Sequence, residues 1–245
     1  MPASIVQSCD GPMLVPHYDH YVTKSLVLYG AYCMAQRQFL KPYAKGVVYD
    51  CGANVGGHAL WMARQSDWLV AFEPQPFLYD CLCGNFALGG VQNKTLLNCA
   101  VSDCDGTVSM PAFHYRTANH YAGLSMDNEI CEGHPTVQAR KVRMDSLGLP
   151  APDFVMLDVE GWELEALRGM EGLLSQKKPV LCVEYDKPSK REGIVAWLKD
   201  HGYEAWLALA PMGECWPEEA SWDLLCVHPE SGVPAPTLEE LEKVV

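Results

Sequence analysis

The chain has 245 residues, 49% hydrophobic and 20% charged, and its 18 basic against 31 acidic side chains leave a formal net charge of −13. That apolar content excludes a disordered polymer, and the acidic balance argues against partners held through phosphates or an anionic membrane surface. The length suits one large domain that buries about 70% of its unfolded surface and needs neither disulfides nor metal to fold.

Residues 1–23 read as an irregular arm rich in Pro, His and Tyr, in which His17, Tyr18, His20 and Tyr21 form a polar aromatic cluster suited to an exposed segment or a dimer contact. Lys24 to Lys41 has a helical pattern, stopped by Pro42. From there strand and helix signals alternate. Gly46 to Cys51 is a buried strand leading into a glycine turn, His58 to Arg64 a helix, Trp68 to Phe72 a strand, Pro76 to Leu88 a helix and Thr95 to Val101 a third strand. Thr107 to Met110 and Val137 to Met144 are short β-type pieces flanking a polar aromatic stretch, within an insertion over about 104–145. Alternation resumes with a strand at Phe154 to Leu157, a helix at Glu163 to Leu174, a strand at Val180 to Tyr185 and a helix at Arg191 to His201. Two closing strands follow at Tyr203 to Leu209 and Trp222 to Val227, and the last ten residues read as a short exposed helix or tail. Such alternation predicts an α/β fold on a mainly parallel sheet, and continuously apolar strands predict burial on both faces. No apolar run approaches the ~18 residues of a bilayer span, and with no basic residue before Lys24 a secretory leader is not expected. Eleven cysteines without a C-x-x-C pair read as structural thiols of a reduced cytoplasmic protein.

The first strand ends in Asp50-Cys51-Gly52-Ala53-Asn54-Val55-Gly56. Ligands of open α/β sheets bind at the carboxyl ends of the strands, where glycines let the backbone come close. A dinucleotide site requires glycine where Asn54 stands, and Asp50 would repel a pyrophosphate. An acidic residue here suits an ammonium group instead. Glu73, about 20 residues on at the end of the second strand, can accept both hydroxyls of a ribose. A nucleoside carrying an amino-acid arm, S-adenosylmethionine, satisfies both. The fourth core strand ends in Asp158-Val159-Glu160, two carboxylates that can orient a cofactor amine, act as general base, hold a divalent cation or simply cap the next helix. Glu184-Tyr185-Asp186 adds acid to the same rim.

The sequence resembles the FkbM family of S-adenosylmethionine-dependent methyltransferases. The matching segments are Val48 to Gly56, Ala71 to Pro76, Cys99 to Asp103 with Gly106, Met144 to Leu147, Leu157 to Gly161 with Glu163 and Leu167-Arg168-Gly169, and Val183-Glu184. The resemblance implies a Rossmann-like class I methyltransferase fold: a mainly parallel seven-stranded sheet with an antiparallel C-terminal strand and helices on both faces. It implies residues 1–45 as an arm and helix covering the active site, 46–230 as the methyltransferase domain and 231–245 as a tail. Asp50, Gly52, Asn54 and Gly56 would line the methionine end of the cofactor, Glu73 would bind its ribose, and Ser102 and Asp103 would lie near the adenine. Asp158 and Glu160 would face the methionine arm and the acceptor. Asn119 to Gly123 resembles an Asn-containing glycine loop of such sequences.

The implied reaction is methyl transfer to a hydroxyl oxygen of a sugar or small natural product, with Asp158 or Glu160 as base and His120 as a competitor. A cation on Asp158, Glu160 and Glu184 would help, but no metal is required by the sequence. The expected partner is a small-molecule or glycan acceptor, with no nucleic acid and no membrane; a homo-oligomer is left open. The rivals are a Rossmann-type nucleotide-binding oxidoreductase and a non-catalytic module of the same fold. A Gly-x-Ser-x-Gly hydrolase elbow is absent from the sequence. His58 is expected to face solvent in the first turn of its helix.

Overall fold

The computed structural model describes residues 2–117, 121, 123, 135–211, 220–236 and 242–245. The N-terminal arm is ordered. Strands β1 (Ala3–Ser8) and β2 (Gly11–Pro16) form an antiparallel hairpin. The reading of residues 1–23 as irregular is thereby corrected. Two prolines and a glycine mask a strand whose alternate residues Met13 and Val15 are fully buried, and proline is tolerated on such an edge.

The helix expected over Lys24 to Lys41 is two, α1 (Val22–Tyr29) and α2 (Met34–Leu40). Gly30 adopts a left-handed φ of 67° and its N–H donates to the Leu26 carbonyl, which ends α1. The chain then forms β3 (Val47–Cys51), α3 (Ala59–Ala63), β4 (Trp68–Phe72), α4 (Pro76–Leu88) and β5 (Lys94–Leu97). Next come β6 (Ala100–Val101), β7 (Gly106–Pro111), β8 (Thr136–Val142) and β9 (Phe154–Leu157). Helices α5 (Glu163–Arg168) and α6 (Glu171–Lys177), β10 (Val180–Glu184), α7 (Pro188–Asp200), β11 (Glu204–Pro211), β12 (Ala220–Val227) and β13 (Glu242–Lys243) complete it. The helix expected at Glu163 to Leu174 is split because Asp145 accepts the N–H groups of Gly172 and Leu173, both at 2.9 Å, and so caps a second helix.

The main sheet has eight strands in the order β13-β11-β12-β10-β9-β3-β4-β5. From β10 to β5 neighbours are parallel; β12 runs antiparallel to both β10 and β11. The fold is the expected α/β class, but the seven-strand count is corrected. The last residues add the two-residue β13 to the β11 edge, where a short helix or tail was expected. The expected third strand also divides. Lys94–Leu97 stays in the main sheet, while Ala100–Val101 joins a separate three-stranded sheet of order β6-β8-β7.

Alternate strand residues enter two cores. Val48, Leu69, Ala71, Phe154 and Met156 pack with the hairpin and α1, α3 and α4, and Tyr49, Val70, Phe72, Val155 and Leu157 pack with α5, α6 and α7. Asn85 of α4, fully buried, fastens the hairpin to the domain. Its Oδ1 accepts the Leu14 N–H, and its Nδ2 donates to the carbonyls of Leu14 at 2.9 Å and Val55 at 2.7 Å. Asn85→Leu is expected to cost about 2–4 kcal/mol in urea unfolding, because buried backbone groups lose their partners, and to speed amide exchange at Leu14 first. Unchanged stability and exchange would contradict this attachment.

Candidate functional site

Successive strands run from β3 to β4 on one side and from β9 to β10 on the other, so the sheet order reverses between β3 and β9. Their carboxyl ends diverge there and open a cleft. With the open solvent at its mouth included, its volume is about 1310 Å³. Among the described residues seven carboxylates line it, on Asp50, Glu73, Asp158, Glu160, Glu184, Asp186 and Asp223, and neither Lys nor Arg does.

The glycine turn is built by contacts on both sides. Gly52 has φ +92°, and a Cβ there would stand 1.8 Å from the carbonyl oxygen of Asp158. The close approach that demands glycine is thus to the neighbouring β9 loop. Glu73 at the end of β4 accepts the N–H of Asn54 and of Gln75, each at 2.8 Å, while Asn54 takes a left-handed φ of 51°. A carboxylate oxygen has two acceptor sites, so Glu73 keeps capacity for a further donor. Asp50 is 3% exposed, and its Oδ2 has no hydrogen-bond partner.

Asp158 and Glu160 lie just beyond β9, Glu160 with a left-handed φ of 56°. Neither caps the following helix. Glu163 does that work for the loop, its Oε1 accepting the N–H of Val159 at 3.2 Å and of Gly161 at 2.9 Å. Asp158 lines the cleft and is exposed to it. Desolvation, and then the charges of Glu160, Asp223 and Glu163, raise its carboxyl well above the usual range. Desolvation and the same acidic neighbourhood raise Glu184 likewise.

The N-terminal segment supplies one wall, with Tyr21, Val22, Tyr32, Cys33 and Gln36. Gln36 donates to Asp223 Oδ2 at 2.6 Å. Arg37, 2% exposed, pairs with Asp10 at 2.6 Å and donates to the Gly57 carbonyl, tying hairpin, α2 and glycine turn together. Gln75 donates to the Tyr121 carbonyl and accepts from the Tyr115 hydroxyl, both at 2.8 Å, and Asp19 accepts the N–H of Thr23 at 2.8 Å and of Tyr121 at 3.4 Å. Arm and insertion therefore meet over the rim.

Of the residues singled out from the sequence, Asp50, Gly52, Asn54, Glu73, Asp158 and Glu160 line the cleft together. Gly56 faces Leu82 and Phe86 of α4, and Ser102 and Asp103 are not among the lining residues; Cys99, Ala100, Val101 and Met110 hold that wall. His120 lies outside the described residues, as do Asn119 and Ala122. His58 does not face solvent. It lines the cleft beside Tyr32, its Nδ1 is buried, and burial with the nearby Arg37 charge lowers it to about 3. Asp223, Gln36 and Gln75 were not anticipated; the one available signal was Asp223 as a lone charge within the apolar run Trp222 to Val227. None of the nine cysteines described is in a disulfide, and no helix among the described residues is long and apolar enough to cross a membrane.

Burial raises Asp50, Glu73 and Asp223 each to about 7. A carboxyl whose folded pKa is raised binds more protons folded than unfolded between about pH 4 and 7, so stability falls as pH rises through that window. His58, lowered to about 3, acts oppositely below about 6.5 but is one group against three. The ligand-free protein is expected to unfold at a lower temperature at pH 8 than at pH 5.5. A higher midpoint at pH 8 would show that these carboxyls are not held protonated by burial.

Residues 50–205 match the model of the methyltransferase FkbM domain. Methyltransferase SdnD of Sordaria araneosa is 29% identical over 189 residues, 64% of this chain and 73% of SdnD. The hexuronic acid methyltransferase AglP of Haloferax volcanii is 32% identical over 133 residues, 52% of this chain and 51% of AglP. In fold, the chain is similar to the crystal structure of a methyltransferase FkbM from Methylobacillus flagellatus, with a TM-score of 0.53 and 15% identity over 84% of this chain and 48% of that one. Trm5b of Pyrococcus abyssi aligns with a TM-score of 0.53 and 12% identity, over 93% of this chain and 56% of that one. The chain thus spans about half the length of AglP and of the Methylobacillus protein.

Proposed function

The chain belongs to the FkbM methyltransferase family, and on that premise we propose that it transfers the methyl group of S-adenosylmethionine to a hydroxyl oxygen of a sugar or small natural product. The observation that carries the cofactor assignment is the orphaned, buried Oδ2 of Asp50 beside the glycine turn. It needs a donor, and the ammonium of an amino-acid arm is one. Glu73, already holding the turn through Asn54 and Gln75, has acceptor sites left for a ribose hydroxyl. Gly52 and Asn54 would border the methionine arm, and Cys99, Ala100 and Val101 offer an apolar wall for the base.

When bound, the cofactor supplies a methyl carbon already activated by a sulfonium. The chain's part is to align the acceptor in line with that carbon and to take its proton. Asp158 is the proposed base, with Glu160 beside it; desolvation and then the surrounding negative charge raise its proton affinity toward what an alcohol requires. Seven lining carboxylates, with neither Lys nor Arg among the described lining residues, favour a neutral hydroxylated acceptor over an anionic one. The net charge of −13 speaks likewise against nucleic acid.

Titration calorimetry with S-adenosylhomocysteine, and in parallel with NAD, tests the cofactor. One site per chain for the former and no heat from the latter is expected; the reverse would restore the oxidoreductase reading. Incubating a panel of hydroxylated acceptors with labelled donor and fragmenting the products by mass spectrometry locates the methyl group. Methylation at nitrogen or carbon alone would overturn oxygen as the acceptor.

A further inference from the structure

Asp158 and Glu160 after β9 and Glu184 at the end of β10 each bring one carboxylate oxygen within 4.8 Å of the other two. Charges so placed repel unless something positive sits among them. Lys187 supplies part of it, 2.5 Å from Glu160 Oε2 and 3.7 Å from Glu184 Oε1. One ammonium cannot neutralise three carboxylates, and all three must be ionised to hold a cation.

A separate observation shows where the deficit is felt. Glu184 is 8% exposed, lines the same cleft, and its Oε2 is sealed from solvent without a hydrogen-bond partner. An oxygen buried in that way costs free energy until a cation or donor meets it. The donors are all oxygens, which selects hard ions over zinc or copper. Oxygens opposite one another on an ion stand about 4.1 Å apart on magnesium and about 5 Å apart on calcium, so a limit of 4.8 Å accommodates a hard divalent ion with little movement.

We propose that Asp158, Glu160 and Glu184 form a binding site for one hard divalent cation of the magnesium or manganese class. Three protein oxygens leave about three of six positions for water or for acceptor oxygens. Resting on the methyl-transfer reading above, an ion there would take the acceptor's hydroxyl oxygen as a ligand and lower its pKa. It would also offset the negative cleft, which widens the acceptors the site admits.

The test uses manganese alone, without cofactor or acceptor, so its outcome is independent of methyl transfer. Calorimetry of the full chain at pH 7.5 should show one saturable Mn²⁺ site, with a matching loss of the free-ion signal in electron paramagnetic resonance and displacement by excess Mg²⁺. Glu184→Gln should weaken it at least tenfold. Because Glu184 is buried, the half-exposed Glu160→Gln is measured beside it and should weaken binding similarly, with thermal unfolding confirming that each variant is folded. No saturable Mn²⁺ binding, or binding untouched in either folded variant, overturns the proposal. Intact S-adenosylhomocysteine binding in that case would leave the methyltransferase reading standing.

Discussion

Replacing Gly52 by alanine is expected to destabilise the protein by about 3 kcal/mol or more and to abolish measurable S-adenosylhomocysteine binding. Two effects coincide at this position. The backbone has φ +92°, which a side chain disfavours, and the added Cβ would lie 1.8 Å from the carbonyl oxygen of Asp158. That oxygen is backbone and cannot swing aside, so the β3 turn and the β9 loop must separate. Separation displaces Asn54 from Glu73 and spoils the geometry around Asp50. Urea unfolding and calorimetry on the same preparation check both consequences. A variant within about 0.5 kcal/mol of the parent, the range of ordinary surface substitutions, would show that the two loops do not touch as described.

Asp158→Asn is expected to lower kcat by about 10²–10⁴-fold, the span typical of a removed general base. The amide keeps the shape of the side chain and removes its charge and basicity. A pH profile separates this role from a purely structural one. Desolvation within the cleft and the neighbouring Glu160, Asp223 and Glu163 charges raise the Asp158 carboxyl, so the reactive carboxylate accumulates only as pH rises. The parent's rate should therefore climb through and above neutral pH, and the variant's residual rate should lose that climb. Full activity in the variant, or an unchanged pH dependence, would move the base to another residue.

The central strands were legible because their residues obey one constraint. Val47–Cys51, Trp68–Phe72, Phe154–Leu157 and Val180–Glu184 are apolar except for Asp50 and Glu184 near their carboxyl ends, as strands covered on both faces must be. Helix α4 was legible in full, since Pro76 opens it and Gly89-Gly90 follow its end. The hairpin was not. Its strands pack through Asn85, a residue about 70 positions away whose side chain substitutes for a strand edge, and no local pattern announces that. The breaks between α1 and α2 and between α5 and α6 depend on a left-handed Gly30 and on Asp145, which lies well upstream of the helix it caps.

Within the site, residues at strand ends could be assigned by position alone, because the carboxyl ends of parallel strands share one rim: Asp50, Glu73, Asp158, Glu160 and Glu184 all line the cleft. The sequence by itself determined the central parallel strands, the alternation of strand and helix around them, and that acidic rim, since periodicity and chain direction are local properties. Only the tertiary structure decided that Gly52 makes room for the Asp158 carbonyl, that Glu163 rather than Asp158 or Glu160 caps the β9 loop, and that Gln36 and Asp223 meet across the cleft. Those facts depend on distances between segments far apart in the chain. Such distances are set by how two packed cores close on the sheet, and no run of neighbouring residues encodes them.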